Sequence, residues 1–586
     1  KINMMSGKIP YIYGEYHLKG TASPGGNRGN SNILYQDNYI SIYANNCEKF
    51  IQGYAYDKTI YFFHGRIYSP YLIPDVRRRI DKIVEIEDNP GRADGSFFII
   101  KIDLRNPIPT LKITNNKFGS RLILYVSLRD RVLFSTHLEG IKTLLRQDAA
   151  FHINQDVLFY YYFFGHTPQN MTLIDGLSKI TAGTSLSVNG CNVRLNRYFE
   201  ILDWFEFNPE KKDEGFYAQE IDHILSRTIE KRLIHSDAFA CAISGGVDSG
   251  YIASKMLQQN REVVGYNLSY ENYYNEYGRL DEFAKENGIK LKKVILEIEE
   301  FLSRIPECNA SSSEPVGFND VAMHYLFRKM VSDGFNEILD GDGADRLFFG
   351  MVRQLQYARV FCIYRILKSL RLNSPVKFFL KKATRAEPRK LFLLLSNWDR
   401  KMFPYPERRI DPRAVYDIEV ERKIYEMSAK PYIDQYLSKF AQYDLGGFFA
   451  YMSLSLCPEM FFYPTFEMQN CILAQPVSPY WSDEMVKLAI RIPVQFKIKR
   501  GQTKYILRKA AFLCNRSNYW FLPKIGLQDS FSFINSTPVG RTWIRNLEDE
   551  MSRSEILGDL REALHTRDID TSRLINFHLW KKANNF

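Results

Sequence analysis

The sequence predicts an α/β protein with a strand-rich first part and a second part in which strands and helices alternate. Residues from about 9 to 198 contain short alternating apolar and polar runs separated by turn-forming residues, which is the pattern of antiparallel strands. From Phe216 onward, apolar runs such as Ala238-Phe-Ala-Cys-Ala-Ile243 alternate with stretches of helical periodicity. After Gly350 the pattern is largely helical. We therefore expect an antiparallel α+β sandwich, followed by a doubly wound parallel sheet with a helical C-terminal part.

The length of 586 residues exceeds what a single core accommodates at about 100 to 200 residues per domain. The predicted domains are residues 1–205 and 216–586, and the polar stretch Asn208-Pro-Glu-Lys-Lys-Asp-Glu-Gly215 is typical of a linker. The clearest strand patterns of the first domain are Tyr11-Ile-Tyr-Gly-Glu-Tyr16, Ile40-Ser-Ile-Tyr43, Thr59-Ile-Tyr-Phe-Phe63, Ser96-Phe-Phe-Ile-Ile-Lys-Ile102 and Arg121-Leu-Ile-Leu-Tyr-Val126.

The composition narrows the class of protein without selecting a function. An excess of 78 Lys and Arg over 67 Asp and Glu favours anionic ligands, but spread over this length it does not indicate a dedicated polyanion site. The eight cysteines form no CxxC pair and no cluster at metal-ligand spacing, so we expect reduced thiols in a cytoplasmic protein. No stretch of roughly 18 or more apolar residues exists, which argues against a membrane span.

The strongest local motif is Ser244-Gly-Gly-Val-Asp-Ser249, which follows an apolar strand pattern and precedes a helical one. Glycines allow backbone amides to approach phosphate oxygens, serines add hydroxyl donors, and a helix N-terminus adds partial positive charge. We therefore predict a pyrophosphate cradle formed by Ser244, Gly245, Gly246 and Ser249. The Walker spacing GxxxxGK[ST] is absent, so the loop is not an ordinary P-loop.

A carboxylate inside a phosphate loop needs a cation between it and the nucleotide, so Asp248 predicts Mg²⁺. A second acidic loop, Ile338-Leu-Asp-Gly-Asp-Gly-Ala-Asp345, also follows a strand pattern, and we assign Gly341 and Gly343 to the nucleotide and Asp345 to the metal. Each loop alone matches an ordinary turn, but the two in this order make that alternative weaker.

Together, SGGxDS and GxGADxxFxG resemble the ATP-pyrophosphatase domain of the asparagine synthetase superfamily, which includes β-lactam synthetases and lasso-peptide macrolactam cyclases. Other similar segments are Ser312-Ser-Glu-Pro315, Phe466-Glu-Met-Gln-Asn470 with Pro476-Val-Ser-Pro479, Gly501-Gln-Thr-Lys-Tyr-Ile-Leu-Arg508 and, less fully, Pro523-Lys-Ile-Gly526. The resemblance implies ATP and Mg²⁺ as cofactors. It also implies Lys504 as the residue that neutralises charge when an amine attacks an acyl-adenylate, and Asp342 as a general base.

Two residues depart from this family pattern or carry open roles. Arg346 replaces the glutamate that usually follows the second Mg²⁺ aspartate, which adds positive charge near the phosphates. Two roles stay open for Glu467: a catalytic carboxylate that orients the base, or a structural carboxylate paired with an arginine.

The first domain resembles class II glutamine amidotransferase domains, which implies an Ntn-hydrolase-like fold. The similar segments are Phe63-His-Gly-Arg-Ile-Tyr68, Asn116-Lys-Phe-Gly119 and Phe134-Ser-Thr-His-Leu-Glu139. Alignment of Ile12-Tyr-Gly14 with the opening strand of that family puts Pro10 where its N-terminal cysteine nucleophile belongs, so we expect a domain without glutaminase activity. His64, which aligns with the oxyanion-hole asparagine, is interpreted as an ordinary polar residue.

The predicted function is therefore AMP-forming amide synthesis. With ammonia delivery from glutamine lost, the amine is expected to belong to the substrate, and the resemblance to lasso-peptide cyclases implies a precursor peptide, a leader-binding protein and a leader peptidase as partners. Three alternatives stay open: an asparagine synthetase-like enzyme using ammonia or glutamine, a β-lactam synthetase-like cyclisation, and a non-catalytic binding protein. A tRNA thiolase shares SGGxDS but lacks the amidotransferase-like domain, so no nucleic acid is expected.

The segment 353–401 is rich in Lys and Arg with interleaved aromatic residues and leucines. The segment either binds an acidic peptide or a partner protein, or forms a solvated helix face over buried leucines.

Overall fold

The computed structural model describes residues 10–19, 32–45, 51–68, 76–145, 151–206, 210, 212–233, 238–271, 277–335, 337–350, 426–427, 430–440, 445–456, 458, 463–472, 475–522, 529–553 and 571–586. The basic segment 353–401 and the Pro523-Lys-Ile-Gly526 motif lie outside these residues.

Two antiparallel sheets form the first part of the chain. Their strands are β1 (Tyr11–His17), β2 (Asn32–Gln36), β3 (Ile40–Asn45), β4 (Ile51–Tyr56), β5 (Thr59–Ile67), β6 (Gly95–Asp103), β7 (Thr110–Asn115), β8 (Leu124–Ser127), β9 (Arg131–Ser135), β10 (Ser178–Lys179), β11 (Thr184–Asn189) and β12 (Asn192–Arg197). One six-stranded sheet has the order β10-β8-β9-β1-β3-β2 and the other β12-β11-β7-β6-β5-β4. The helices α1 (Val76–Asp88), α2 (Leu138–Leu145) and α3 (Gln155–Phe164) accompany them.

The alternating pattern of the strands explains how the two sheets pack. Successive side chains of a strand point to opposite faces, so Ile12 and Tyr16 of β1 share one face. They join a buried core with Ile42 of β3 and with Ile100 and Ile113 of the other sheet. The predicted antiparallel α+β sandwich is confirmed.

A parallel sheet forms the second part. Its strands are β13 (Ala238–Ala242), β14 (Glu262–Tyr270), β15 (Lys290–Leu296), β16 (Glu337–Leu339) and β17 (Gln475–Val477), in the order β15-β14-β13-β16-β17. All four strand pairs are parallel. Since β14 and β15 lie on one side of β13 while β16 and β17 lie on the other, the chain direction across the sheet reverses at β13. Such a switch point opens a crevice at the carboxyl ends of the strands.

Helices cover both faces of the parallel sheet, as a doubly wound fold requires. They are α4 (Glu214–Arg232), α5 (Val247–Gln258), α6 (Tyr277–Asn287), α7 (Ile298–Ala310), α8 (Phe318–Ser332), α9 (Ala344–Leu347), α10 (Lys430–Lys439), α11 (Leu445–Ser455), α12 (Tyr463–Cys471), α13 (Asp483–Arg491), α14 (Val494–Lys497), α15 (Tyr505–Asn515), α16 (Ser530–Ser536), α17 (Pro538–Ser552) and α18 (Thr571–Ala583). Phe239 of β13 packs with α4 and α5, whereas its neighbour Ala240 packs with α8. None of the described helices is both long and apolar enough to cross a membrane.

The two parts of the chain share buried groups. Phe118 and Phe199 of the first part lie in one hydrophobic core with residues of α4, α5 and α15. The buried Lys117 pairs with Asp483 at the start of α13, and the buried Arg232 at the end of α4 pairs with Asp94 at 3.0 Å. The antiparallel and parallel sheets therefore meet across a continuous apolar and ionic interface.

Candidate active site

The loop after β13 is closed by its own serines. The Ser244 backbone N–H donates to Ser249 Oγ at 3.0 Å, and the Gly246 N–H lies 3.4 Å from Ser244 Oγ. Gly246 is the N-cap residue of α5, so the free N–H groups of the first helical turn face the loop. This geometry is that of an anion cradle at a helix N-terminus, as the sequence predicts.

Side chains distant in sequence fix this loop from outside. The Tyr519 hydroxyl donates to the Gly245 carbonyl at 3.1 Å, and Arg279 Nη2 approaches the same oxygen at 3.4 Å. The fully buried Tyr480 donates its hydroxyl to the Asp248 carbonyl at 2.9 Å. Sequence reasoning missed these residues, because nothing in the local sequence of a tyrosine or arginine shows that its side chain reaches a loop distant in the chain.

The loop after β16 lies against the first loop. A Cβ atom on Gly341 would be 2.9 Å from Asp248 Cβ and 3.0 Å from the Ser249 nitrogen. Contacts this short are closer than carbon side chains permit, so the approach of the two loops depends on a glycine here. Gly343 has φ +92° and packs on the Trp481 ring, where a Cβ would meet Nε1 at 2.7 Å.

Lys504 brings the two predicted metal aspartates together. Its ammonium contacts Asp248 and lies 2.5 Å from Asp345 Oδ1, and only 1% of the residue is exposed. The Lys504 backbone is in the left-handed region at φ +54°, which costs about 1 kcal/mol or more for a residue with a side chain. Strain of this kind persists where surrounding structure holds a functional side chain in place.

The segment before Lys504 is held by Arg508, the last residue of the Gly501-Gln-Thr-Lys-Tyr-Ile-Leu-Arg508 motif. The buried guanidinium donates to the Thr503 carbonyl at 3.0 Å and to the Leu522 carbonyl at 3.1 Å. Gly350 lies directly against the Lys504 side chain, since a Cβ on Gly350 would be only 1.9 Å from Lys504 Cε. Gly350 is the last residue of the GxGADxxFxG motif. Only the structure shows that a glycine here leaves room for the side chains of Lys504 and Asp345.

The carboxylates fit a divalent cation. Asp248 Oδ1 is buried and accepts no hydrogen bond from any part of the chain that the structure describes. Asp248 and Asp345 already converge on one ammonium, so their oxygens lie close enough to share a cation. Mg²⁺ commonly takes one or two protein carboxylates and completes its shell with water and phosphate oxygens. Clusters of three or more His, Cys, Asp or Glu are absent from the described residues, so a metal cage made wholly of protein groups is not observed there.

Asp342 makes hydrogen bonds within its own loop. Its Oδ1 accepts the neighbouring Gly343 N–H at 2.9 Å, and its backbone N–H donates to Asp340 Oδ1 at 3.2 Å. Displacement of water from around Asp340, together with the Asp342 carboxylate, raises the pKa of Asp340 to about 7. Asp340 is thus a titratable carboxylate of this loop in addition to Asp342. The catalytic role of Asp342 stays a prediction.

Glu467 lies in a different buried cluster. The Ser313 N–H donates to Glu467 Oε2 at 2.9 Å, the Ser312 hydroxyl donates to it at 3.2 Å, and the Ser313 hydroxyl contacts the other oxygen. His137 of the first part lies 3.9 Å away. Burial raises the pKa of Glu467 to about 8 and lowers that of His137 to about 4, so both groups favour their neutral forms near pH 7.

The hydrogen bonds and ion pairs of Glu467 within the described residues do not include the other predicted site residues. Its carboxylate is held by two serines, neither by an arginine nor by Lys504, among the residues that the structure describes. The adjacent Glu314 accepts the Thr167 hydroxyl at 2.5 Å and pairs with the buried Lys179 at 3.2 Å. The Ser312-Ser-Glu-Pro315 motif thus joins the two parts of the chain at this cluster.

In the first part, the position before β1 is occupied by the buried Pro10, and His64 stacks on Phe98 at 5.2 Å between ring centroids. Burial, followed by the nearby Arg121, lowers the pKa of His64 to about 3. A neutral, stacked imidazole agrees with the reading of His64 as an ordinary residue, and the absence of glutaminase activity stays a prediction.

Comparison with known proteins finds relatives among the asparagine synthetases. The asparagine synthase family model matches residues 220–444 and 474–532, which contain both loops and Lys504. The glutamine-hydrolysing asparagine synthetase 1 of Bacillus subtilis is 22% identical over 484 residues, covering 80% of this chain and 72% of that protein. A Methanocaldococcus jannaschii protein provisionally named a glutamine-hydrolysing asparagine synthetase is 28% identical over 253 residues, which are 41% of this chain and 44% of that protein.

The matched segments and the geometry of the two loops agree, and the resemblance seen in the sequence is confirmed at the level of the superfamily. Over residues 220–444 and 474–532 the chain is similar to the asparagine synthases, a family of ATP-dependent, amide-forming enzymes.

Proposed function

We propose that this protein adenylates a carboxylate of a ribosomally made precursor peptide and closes a macrolactam with an amine of the same peptide. The observation that carries the chemistry is the convergence of Asp248, Asp345 and Lys504 at the switch point of the parallel sheet. This proposal goes beyond the family, which supports amide formation from ATP and not a particular substrate.

The first step requires two anions to meet. A substrate carboxylate oxygen attacks the α-phosphorus of ATP, the bond to the β-phosphate oxygen breaks, and pyrophosphate leaves with an acyl-adenylate remaining. The loop of residues 244–246 and the N-terminus of α5 hold the phosphates, and Arg279 adds positive charge at that loop. Asp248 and Asp345 would hold Mg²⁺, which when bound offsets the charge of the triphosphate.

The second step places an amine on the activated carbonyl carbon. The amine lone pair forms the new C–N bond, an oxyanion develops, and AMP leaves while the amine loses a proton to a base. Lys504 is the buried cation available to stabilise the developing negative charge, and Asp342 is the proposed base. The tight packing of Gly350 and Arg508 around Lys504 keeps the ammonium in place and excludes water from its stem.

The choice of an internal amine rests on the first domain. Pro10 stands where a glutaminase nucleophile belongs, so we propose that ammonia is not supplied from glutamine and that the substrate carries the nucleophile. The lasso-peptide cyclases of the superfamily make such a ring, and in this proposal a leader-binding protein and a leader peptidase act with the enzyme.

A second candidate is asparagine formation from aspartate. The named relatives are asparagine synthetases, and free ammonia would not need the missing nucleophile. This candidate differs from the first in substrate and not in the use of the nucleotide site. The β-lactam synthetase-like cyclisation also shares that site.

The test is release of pyrophosphate and AMP from Mg-ATP by the purified protein, with candidate precursor peptides, with ammonia plus aspartate, and with glutamine plus aspartate. Turnover with a peptide that loses the mass of one water supports the macrolactam synthetase, and the Asp248→Ala variant should be inactive in the same assay. Turnover with ammonia and aspartate alone would replace the proposal with asparagine synthesis.

A further inference from the structure

A cavity of about 380 Å³ lies between the two parts of the chain, apart from the phosphate loop. Strand β12 and the segment 181–184 form one side, and α10 and α11 form the other. Its volume is within the roughly 300 to 1,000 Å³ that small-molecule sites occupy. No role in nucleotide binding accounts for it, because its lining residues belong to neither the cradle nor the metal pair.

The cavity floor is apolar and aromatic. Phe118, Phe199, Tyr432 and Leu454 line it and are buried in the hydrophobic core shared by the two parts of the chain. The Phe118 ring packs edge-on against Phe199, with centroids 6.4 Å apart. Aromatic walls in such orientations accept another aromatic or apolar group through edge-to-face contacts.

The charges at the cavity are already compensated. Lys117 contacts Asp483 and donates to the Gly91 carbonyl at 3.1 Å, and Arg197 donates to Glu200 at 2.7 Å. Since each cation has a carboxylate partner, the cavity offers little to attract a phosphate or a free carboxylate. These contacts favour an uncharged occupant.

Polar groups at the opening suit a peptide backbone. Gln169, Asn170 and Gln435 line the cavity with amide side chains, which can donate to and accept from peptide groups. Gln169 is held in the left-handed region at φ +49°, a strained conformation for a residue with a side chain. The Gln435 side chain is oriented by the Tyr451 hydroxyl, which donates to its Oε1 at 2.9 Å.

Trp481 connects the cavity to the synthetase loop. The Trp481 indole lines the cavity, with its ring centroid 5.7 Å from that of Phe118. The same indole packs on Gly343, in the loop that carries Asp342 and Asp345. An occupant of the cavity therefore lies one side chain away from the acidic loop.

We propose that this cavity binds an apolar, preferably aromatic, side chain of the peptide substrate and so positions the chain for reaction at the neighbouring loop. The inference rests on the proposed function, because it takes the substrate to be a peptide. It assigns to the first domain a substrate-binding surface in place of glutamine hydrolysis.

The test uses N-acetyl-L-phenylalaninamide as the probe and saturation-transfer NMR on the full-length protein. Leu195 lines the cavity from β12 and is 40% exposed, so Leu195→Trp fills the opening without entering a core. The matched control is Arg194→Trp, since Arg194 is the exposed neighbour whose side chain points to the opposite face of the strand. Mg-ATP binding is measured on each sample by calorimetry.

We expect probe binding to weaken about tenfold in Leu195→Trp, the loss expected when roughly one apolar side chain no longer finds a pocket. Arg194→Trp should bind the probe as the wild type does, and all three proteins should bind Mg-ATP equally. Absence of saturation transfer in the wild type, or equal probe binding by Leu195→Trp, would overturn the cavity proposal. Loss of Mg-ATP binding by the wild type would instead contradict the proposed function and leave the probe result to decide about the cavity.

Discussion

Substitution of Gly350 by alanine perturbs the predicted catalytic centre without removing any charged group. The added methyl would lie 1.8 Å from Asp345 Oδ1 and 1.9 Å from Lys504 Cε. Ordinary contact begins at about 3.4 Å, so both side chains must move by roughly 1.5 Å or more. The flexible ends of a lysine and an aspartate can make this movement, so the fold should persist while the geometry of the ion pair changes.

The expected consequence is a loss of turnover. A displacement of about 1 Å at reacting or positioning groups can lower the rate by about 100-fold. We therefore expect the Gly350→Ala protein to release pyrophosphate from Mg-ATP about 100-fold more slowly, at saturating concentration of the peptide that supports turnover. The midpoint of thermal unfolding should change by no more than a few degrees, because the collision involves side-chain ends and not packed backbone.

Gly278→Ala provides the matched control. Gly278 lies in α6, where a Cβ would meet no atom within 4 Å, and alanine favours the helix by about 0.5 to 1 kcal/mol. Its turnover should equal that of the wild type. If Gly350→Ala kept full turnover with intact structure, the positions of Lys504 and Asp345 would not matter to the reaction, and the assignment of this centre would be wrong.

Two further outcomes test the buried groups. Because burial raises the pKa of Glu467 to about 8, the folded protein retains a proton that the unfolded chain releases, so the contribution of Glu467 to stability should fall as pH rises from about 5 to about 8. Relative to the wild type, Glu467→Gln should make the slope of stability against pH more positive by about 1 kcal/mol per pH unit over this range in thermal unfolding. An equal slope in wild type and variant would contradict the shift. Tyr480→Phe removes the hydroxyl that donates to the Asp248 carbonyl at 2.9 Å, and it should lower the free energy of unfolding by about 1 kcal/mol in urea titrations. An unchanged value would show that water replaces the hydroxyl.

The sequence contained enough information for the order of the sheets and for the two loops. Ser244-Gly-Gly-Val-Asp-Ser249 and the acidic loop follow β13 and β16, which are neighbours in the sheet, and carboxyl ends of parallel strands meet at one edge. The motif around Lys504 placed this residue with the loops although 256 positions separate it from Asp248, and its catalytic role stays a prediction. Local patterns succeed here because each motif combines a strand end with residue types that have few other uses.

Tertiary placement explains what the sequence could not supply. Glu467 lies in a motif of the family, yet its partners come from the segment after α7 and from the first domain, so its burial and pKa depend on two distant segments. Tyr480 and Tyr519 hold the phosphate loop through hydroxyls aimed at backbone carbonyls, a role that any buried tyrosine could have. The domain limits and the function of the basic segment 353–401 stay predictions.

The buried ion pairs between the two parts of the chain give the first domain a structural role that does not depend on glutamine hydrolysis. If residues 1–205 were removed, Asp483 would lose Lys117 and Arg232 would lose Asp94, while part of the shared hydrophobic core would become exposed to water. A protein shortened in this way would be prone to aggregation. The first domain therefore contributes to the stability of the second through these pairs and the shared core.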